Sequence, residues 1–306
     1  MTISLIITTK NKANYLDLTL YGLQRQSYKN FETIIVNDGS SDETDEVVAK
    51  WSKILYPLKY IRNTSSIGAG NARNIALDKV SRDYVLFLDD DRLLDLNGVK
   101  EHVLANRDNT TSFICGNRWE TYSGITQKSR DIFYSLMDKG ELSRYRRHIE
   151  PMPRVMSKAY RERGHSWSLK WFLILTGNLS VPMSILEKVN GFDGSLERLE
   201  DLEMGYRAFN LGYDVRFIDR IESYHLAHSR YNYDKVMAGV YSKLKFKHSS
   251  LQIQLLEPFL TGAICLHEYE YLVNLQHEKE MKCNCHKGGD CERILYFTNN
   301  STNKRK

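Results

Sequence analysis

The stretch YVLFLDDD, Tyr84–Asp91, decides the fold class of this chain. Its apolar beginning is typical of a short strand that is buried on both faces of a parallel sheet. Three adjacent carboxylates, Asp89, Asp90 and Asp91, end the run. Because open α/β sheets bind their ligands beyond the carboxyl ends of the strands, we expect the three aspartates to line a crevice instead of entering the core.

The segments that precede this stretch alternate between two hydrophobic patterns. Residues 3–9, 31–37 and 58–63 are short runs rich in β-branched residues and are predicted to be strands. Residues 15–26, 41–55 and 68–80 have helical spacing or helix-start signals and are predicted to be helices. This alternation with short links predicts an α/β fold with a doubly wound, mainly parallel sheet.

The pattern is less regular after residue 98. The apolar run WFLIL, residues 171–175, is predicted to be a strand that leads through a turn into a short helix. A helix is predicted from residue 199, with Gly212 as its end, and a strand after it. From residue 232 the chain has amphipathic helical segments, and after about residue 280 it is a polar tail.

Composition and charge limit the class of protein. Of the 306 residues, 42% are hydrophobic and 26% are charged, which is ordinary for a soluble globular protein. The net charge of +5 is too small to predict a nucleic-acid partner. No stretch reaches the length that spans a bilayer, and the N-terminal apolar run is too short for a signal peptide, so we expect a cytoplasmic protein. The odd count of 5 cysteines favours free thiols over disulfides.

The three adjacent aspartates suit a divalent cation. Neighbouring carboxylates repel one another, and burial increases that cost. Hard oxygen ligands suit Mg²⁺ or Mn²⁺, whose coordination is commonly completed by substrate phosphates. The alternative is a solvated acidic turn in which Asp91 caps the helix that follows.

Further candidate residues lie at other element ends. Asp38 follows the second strand and could accept hydrogen bonds from a ribose or a uracil imide. Arg73 opens a helix whose N-terminus favours anions. In the downstream acidic cluster, Glu200 and Glu203 would share a helical face while Asp201 turns about 100° away, and one of these could act as a general base.

Taken together, these stretches resemble the family 2 glycosyltransferases with a GT-A fold. SLIITTKN resembles the family's first-strand signature, IIVNDGSSDET its uridine-binding turn, IGAGNARN its G-x-x-x-A-R-N segment and VLFLDDD its D-x-D motif. GNLSVPMSILEKVNGFDG and EDLEMGYRAFNLGY resemble the acceptor-side block of bacterial polysaccharide synthases that transfer hexosamine or hexuronic acid. The resemblance covers roughly residues 2–230 in order.

The resemblance implies a metal-dependent, inverting transfer of a hexose or N-acetylhexosamine from a UDP-sugar to an acceptor hydroxyl. The implied roles are uridine contact for Thr8 and Asp38, base and diphosphate contact for Arg73, ribose and sugar contact for Asp89 and Asp90, metal ligation for Asp91 and His225, and base catalysis for Asp201 or, second, Glu200. The metal would be Mn²⁺ or Mg²⁺. The implied organisation is a nucleotide-sugar half at 1–98, an acceptor and catalytic half at 99–230 and a helical C-terminal extension with a polar tail at 231–306.

Two alternatives come from other classes. One is a nucleotidyltransferase that forms sugar nucleotides, although TTKNKANY after the first strand lacks the glycine-rich loop that it needs. The other is a non-catalytic module that binds a nucleotide-sugar or a glycan.

The acceptor is left open between a glycan, a small molecule and a peptide side chain. The Arg-rich segment 144–163 could recognise an acidic acceptor, contact anionic lipid headgroups at a membrane surface, or be a solvated loop. The tail offers Cys283, Cys285, His286 and Cys291 as zinc donors, but their spacing departs from C-x₂-C.

Overall fold

The computed structural model describes residues 2–121, 125–228 and 233–275. Its first half runs β1 (Ile3–Thr9), α1 (Ala13–Arg25), β2 (Phe31–Asn37), α2 (Thr44–Trp51), β3 (Leu58–Arg62), α3 (Ala69–Leu77), β4 (Tyr84–Phe87), β5 (Arg92–Leu94) and α4 (Gly98–Asn106). The rest runs β6 (Ser112–Thr121), α5 (Gln127–Lys139), β7 (Arg146–Ile149), α6 (Pro151–Arg163), β8 (Leu179–Pro182), α7 (Met183–Lys188), α8 (Glu200–Asn210), β9 (Asp214–His225), α9 (Tyr233–Lys247), α10 (Leu251–Gln254), α11 (Leu256–Leu260) and α12 (Leu266–Leu275).

One sheet joins the strands of the described residues. Its order is β3-β2-β1-β4-β8-β6-β9-β5, with β7 paired to β6. The predicted parallel strands are confirmed, because β1 pairs in parallel with both β2 and β4, and β2 pairs in parallel with β3. The carboxyl ends of β2, β1 and β4 therefore lie side by side at one edge of the sheet.

The parallel strands are apolar because helices cover both faces of the sheet. Ile6, Ile34 and Val36 point into one core with α3 and α7, whereas Ile7 and Ile35 point into a second core with α1 and α2. All seven residues of β2 are buried. Alternate side chains thus enter opposite cores, so a continuous apolar run results instead of an alternating one.

Strand β8 reverses the direction of the sheet. It pairs antiparallel with β4 and with β6, and β9 then pairs in parallel with β6. The prediction of a strand at WFLIL is wrong, because residues 170–173 form a 3₁₀ turn and the strand begins only at Leu179. Trp171 and Phe172 are fully buried and their rings stack at 4.0 Å. The apolar run correctly indicated burial. It could not distinguish a buried turn from a buried strand, because both are apolar.

The Arg-rich segment is structured, so its interpretation as a solvated loop is wrong. It forms β7 and α6, and the apolar face of α6 carries the buried Met152, Val155 and Met156. Several of its arginines pair with carboxylates: Arg144 with Glu141, Arg146 with Glu222, Arg161 with Asp219 and Arg163 with Glu270.

The C-terminal part is helical from α9 to α12, as predicted. In the described ranges, no helix combines the length and the apolarity that crossing a membrane requires. The predicted zinc donors Cys283, Cys285, His286 and Cys291 lie outside the described residues. The proposed division at residues 98 and 230 stays a prediction, and strands from both sides of residue 98 share the single sheet.

Candidate active site

A cavity of about 480 Å³ opens at the carboxyl ends of β1 and β4. It lies where the sheet changes from parallel to antiparallel pairing, which is where α/β sheets commonly bind ligands. Eight of the nine sequence-predicted site residues line it: Thr8, Arg73, Asp89, Asp90, Asp91, Glu200, Asp201 and His225. The ninth, Asp38, is not among the lining residues.

The three aspartates sit in the link between β4 and β5. Strand β5 pairs antiparallel with the end of β9, so that Arg92 lies opposite His225. The backbone N–H of Leu226 donates to the carbonyl of Asp91 at 2.8 Å, and the Thr19 hydroxyl donates to the carbonyl of Asp90 at 2.8 Å. These bonds fix the link and bring His225 beside Asp91.

Asp91 and two histidines form a potential metal-binding group. The distance from Asp91 Oδ2 is 2.9 Å to His228 Nε2 and 3.5 Å to His225 Nε2. One ligand atom from each of the three residues lies within 4.8 Å of the others. The carboxylate is a hard oxygen ligand of the kind that Mn²⁺ and Mg²⁺ prefer, and the two imidazoles suit a transition metal, so these residues fit Mn²⁺ better than Mg²⁺. His228 is not among the ligands that the resemblance implies, and the structure brings it to the same oxygen of Asp91.

Glu120 orients His225 from behind. The two residues are register partners on β6 and β9, and the Nδ1–H of His225 donates to both Glu120 oxygens at 3.0 Å. A carboxylate on Nδ1 leaves Nε2 facing Asp91, as in carboxylate–histidine–metal triads. Burial alone lowers the pKa of His225, but Asp91 and Glu120 outweigh it and raise that pKa to about 9.

Lys12 brings a cation to the same carboxylates. Its ammonium donates to Asp91, lies 3.5 Å from Asp90 Oδ1 and lies 3.1 Å from His228 Nε2. Burial alone lowers the Lys12 pKa, whereas Asp90 and Asp91 raise it to about 12. Burial and the charge of Asp91 raise the pKa of Asp90 against the attraction of Lys12. The two histidines and Lys12 overcome burial at Asp91 and hold its pKa well below its ordinary value.

The interpretation of Asp91 as a helix cap on a solvated turn is wrong. Asp91 is only 4% exposed, and the residues that follow it form β5. The next helix, α4, begins seven residues later at Gly98. Asp91 is therefore a buried carboxylate with Lys12, His225 and His228 as neighbours, and not part of a solvated turn.

Asp89 faces the opposite side of the cavity, where it meets two arginines. Its Oδ1 lies 3.4 Å from Arg73 and its Oδ2 lies 4.0 Å from Arg118. Arg73 also donates to Glu200, so the middle of α3 is tied to the first turn of α8. Gly177 packs against this group, because an added Cβ would lie 2.5 Å from Asp89 Oδ2 and 2.7 Å from Arg118. Any larger residue at 177 would displace the aspartate.

The carboxylates of the EDLE segment separate at the first turn of α8. Glu200 and Asp201 both line the cavity, whereas Glu203 pairs with Arg207 and His248 outside it. Of the three carboxylates that the sequence offered as a general base, Glu200 and Asp201 are the two that the structure brings to the cavity. Leu199 adopts a left-handed conformation (φ 59°) just before the helix, and it turns the first two carboxylates inward.

Glu200 and Asp201 have different surroundings. Burial raises the pKa of Glu200, the Arg73 guanidinium opposes that effect, and the charge of Asp201 adds to it. Asp201 is held by neutral donors, since its Oδ2 accepts from the Thr176 N–H at 3.1 Å and from the Thr176 hydroxyl at 3.3 Å. Arg73 and Arg118 interact with Asp201 through their charge, but in the described part of the chain no cationic side chain lies within 4.0 Å of it.

Asp38 is fully occupied by one loop. Its Oδ1 accepts from Asn63 and from the N–H of Ile67, and its Oδ2 accepts from the Ser66 hydroxyl and the N–H of Gly68. Burial raises the pKa of Asp38, but these four bonds outweigh that effect and lower it. Asp38 thereby holds the loop that leads into α3 and Arg73.

Sequence reasoning missed a buried ion-pair group in the cavity floor. Glu150 accepts from Arg92 and Arg118, which together lower its pKa against the effect of burial. Lys12, Glu120 and Thr176 were also missed. Their spacing in the sequence carries no signal, because they converge only through the pairing of distant strands.

Comparisons with known proteins agree with this fold. The model for glycosyl transferase family 2 matches residues 4–168, more than half of the chain. A glycosyltransferase of unknown specificity from Rickettsia prowazekii is 26% identical over 79% of this chain and 72% of its own length. A β-1,3-glucosyltransferase of Campylobacter jejuni that acts on GalNAc(5)-diNAcBac-PP-undecaprenol is 32% identical over 38% of this chain and 37% of its own length.

Two solved structures share the fold. S. aureus TarS (residues 1–349), solved with UDP, has a TM-score of 0.59 and 18% identity over 86% of this chain and 72% of its own. The Pyrobaculum calidifontis mannosyltransferase PcManGT, solved with GDP-Man and Mn²⁺, has a TM-score of 0.53 and 17% identity over 83% of this chain and 61% of its own. The predicted GT-A type α/β fold with a helical C-terminal part is confirmed. The chain belongs to glycosyl transferase family 2 and is a glycosyltransferase.

Proposed function

We propose that the chain is a metal-dependent, inverting glycosyltransferase that moves a hexose or N-acetylhexosamine from a UDP-sugar to an acceptor hydroxyl. The observation that carries the proposal is that one cavity contains both a cluster of potential metal ligands, Asp91 with His225 and His228, and a carboxylate held by neutral donors, Asp201. A transfer from a sugar diphosphate needs both: a cation for the departing diphosphate and a base for the acceptor.

The proposed donor is a UDP-sugar. TarS has been solved with UDP and with UDP-GlcNAc, which supports this class, whereas the mannosyltransferase neighbour holds GDP-Man. Thr8, Arg73, Asp89 and Asp90 line the cavity and are the proposed donor contacts. Contact of Asp38 with the uracil stays a prediction. Its hydrogen bonds to residues 63–68 support a second role, which is to hold the loop that leads into α3.

The metal would be held by Asp91 with His225 and His228. Bound there, Mn²⁺ or Mg²⁺ would act as a Lewis acid that neutralises the charge developing on the leaving diphosphate. Glu120 would keep the Nε2 of His225 directed at the ion.

The chain's own base would be Asp201. Its carboxylate accepts the proton of the acceptor hydroxyl while the acceptor oxygen bonds to the anomeric carbon and the bond from that carbon to UDP breaks. Attack from the face opposite the leaving group inverts the anomeric configuration, and no covalent sugar–enzyme intermediate is needed. Glu200 is a weaker choice, because Arg73 already occupies it.

The acceptor and the cellular setting stay predictions. The exposed arginines of segment 144–163, such as Arg147 and Arg154, support contact with an acidic acceptor or a membrane surface, although many of their neighbours are paired. The nucleotidyltransferase alternative has lost its support, since the family is one of glycosyltransferases.

The test measures the thermal unfolding of the wild type and of Asp91→Ala in the presence of UDP, GDP or CDP. Each nucleotide is titrated with and without Mn²⁺. A ligand at 100 times its dissociation constant should add about 2.7 kcal/mol to the free energy of unfolding. We expect UDP to stabilise the wild type only with Mn²⁺ and to have no effect on Asp91→Ala.

An Asp138→Asn variant is the matched control, because Asp138 is an exposed acid that pairs with Arg25. It should behave like the wild type. If GDP stabilises more than UDP, the donor assignment is wrong, and if UDP stabilises equally without metal, the metal dependence is wrong. With the donor known, transfer to acceptors and the anomeric configuration of the product can be measured.

A further inference from the structure

Lys12 contacts the same atoms that a metal ion would need. It lies between β1 and α1, and its ammonium donates to Asp91 Oδ2, the oxygen that both histidines also approach. The ammonium is also 3.1 Å from His228 Nε2. The side chain of Lys12 is 26% exposed, so it borders open space and can leave this position.

The contact with His228 has a chemical consequence. Nε2 can donate a proton to Asp91 or accept one from Lys12, but one nitrogen cannot do both at once. When it accepts from Lys12, its lone pair is used by the ammonium and is not available to a metal ion. Lys12 thus engages a carboxylate oxygen and an imidazole nitrogen of the donor set.

A metal ion and the ammonium cannot share these atoms. Two like charges held a few ångströms apart repel strongly in a buried site, where water screens them poorly. We propose that Lys12 competes with the divalent cation for Asp91 and His228, so that metal binds weakly by itself and the nucleotide diphosphate is needed to complete the exchange. This inference rests on the proposed function.

The diphosphate makes the exchange favourable by adding negative charge to the cavity. When the nucleotide is bound, its diphosphate is an anionic partner both for the metal ion at Asp91 and for the displaced ammonium of Lys12. This attraction offsets the repulsion between the two cations. Metal and nucleotide then bind with positive coupling, and coupling of binding free energies is reciprocal. Lys12 would set the size of this coupling.

The test is a titration with Mn²⁺ in the absence and in the presence of UDP. Electron paramagnetic resonance monitors it, because this method measures the concentration of free Mn²⁺ directly. On Lys12→Met we expect Mn²⁺ alone to bind about tenfold more tightly than on the wild type, because the competing charge is gone. We expect the same variant to bind UDP less tightly than the wild type when Mn²⁺ is present. The coupling free energy between Mn²⁺ and UDP should therefore be smaller in Lys12→Met than in the wild type. Lys12→Arg, which keeps the charge, should keep weak binding of Mn²⁺ alone.

Lys53→Met is the control for net charge, since Lys53 is exposed after α2. It should leave both affinities unchanged, and far-ultraviolet circular dichroism should show each variant folded. If Mn²⁺ alone binds Lys12→Met with unchanged or lower affinity, Lys12 only steadies the carboxylates and the inference is overturned. If the wild type binds no Mn²⁺ even with UDP, the proposed function itself fails, which is a distinguishable result.

Discussion

Asp38 and Asp91 occupy similar places in the fold and have opposite surroundings. Each follows a parallel strand that flanks β1, and each is about 5% exposed or less. Asp38 is held by neutral N–H and O–H donors from a single loop, whereas Asp91 meets Lys12, His225 and His228 from distant parts of the chain.

The difference separates a carboxylate that builds the site from one that binds a ligand. Neutral backbone donors are fixed by the chain and cannot leave, so Asp38 stabilises one loop conformation. Cationic side chains can move away or change partners, so the contacts of Asp91 can be exchanged for those of a metal ion. A carboxylate's partners therefore indicate its role better than its place at the strand end does.

Replacing Asp201 is expected to have the largest effect, because this residue has one feature of Asp91 and one of Asp38. It lines the cavity like Asp91 but is held by neutral donors like Asp38. As the proposed base, Asp201→Asn should lower kcat by about a thousandfold while leaving the affinity for UDP unchanged. Steady-state kinetics and a UDP titration measure the two quantities.

Glu187→Gln, which changes an exposed acid on α7, is the control and should retain wild-type kinetics. Equal turnover of Asp201→Asn and the wild type would mean that another group accepts the proton. In that case Glu200→Gln becomes the informative variant. A protein with no turnover in any form would favour the non-catalytic binding module.

Replacing Asp38 tests the structural side of the comparison. Asp38→Ala leaves four donors of residues 63–68 without their acceptor, so the free energy of unfolding should fall by about 2 kcal/mol, with water replacing some bonds. Because the partners are neutral, the loss should be the same from about 0.05 M to about 0.5 M NaCl. Urea unfolding at both salt concentrations measures it.

Asp78→Ala provides the matched control, since this aspartate is exposed at the end of α3. It should cost little stability. A loss in Asp38→Ala that shrinks strongly with salt would contradict the neutral-partner account, because only charge pairs are screened in that way.

The two aspartates also show what the sequence could predict. The apolar runs at β1, β2 and β4 predicted three strands and placed Asp38 and Asp91 at their ends, since local patterns are enough for a buried parallel strand. Local patterns could not predict the partners, and only the family resemblance placed His225 with Asp91 as a metal ligand. His225 reaches Asp91 through the antiparallel pairing of β5 with β9, and Glu120 reaches His225 through β6.

The same reason explains what else local patterns left out or assigned wrongly. Nothing in the sequence shows that residues 63–68 fold back onto Asp38, so its four hydrogen bonds could not be predicted. WFLIL was assigned as a strand because apolarity reports burial and not backbone conformation. Family resemblance supplied the catalytic roles, but it gave no sign that Lys12 would lie among the metal donors.

His102 extends the comparison to a buried group that is held neutral. It is fully buried, its Nε2–H donates to Asn178 at 2.9 Å, and its Nδ1 accepts from Ser180 at 2.7 Å. Burial lowers the pKa of His102 to about 4, against smaller opposite effects of Asn178 and Glu101. The unfolded chain, with a pKa near 6.5, therefore takes up a proton that the folded protein excludes as the pH falls.

The expected result is a loss of stability between about pH 6.5 and about pH 4, with roughly 2 kcal/mol lost by pH 5. His102→Gln, which does not titrate, should lack this contribution. Urea unfolding at about pH 7.5 and about pH 5 isolates it, because the difference between the two proteins cancels the effect of every other group. Parallel pH curves for the two proteins would mean that folding does not shift the pKa of His102.

Replacing Glu120 is expected to have the smallest effect, and it tests the group of Asp91, His225 and His228 specifically. It does not bind the proposed ion but holds His225 at Nδ1, so Glu120→Ala should weaken Mn²⁺ binding in the presence of UDP by about tenfold. Glu120→Gln keeps an acceptor and should lose less. Glu141→Gln removes one negative charge from an acid paired with Arg144 and should change nothing. If Glu120→Ala leaves the Mn²⁺ affinity unchanged, Glu120 does not position a ligand of the ion.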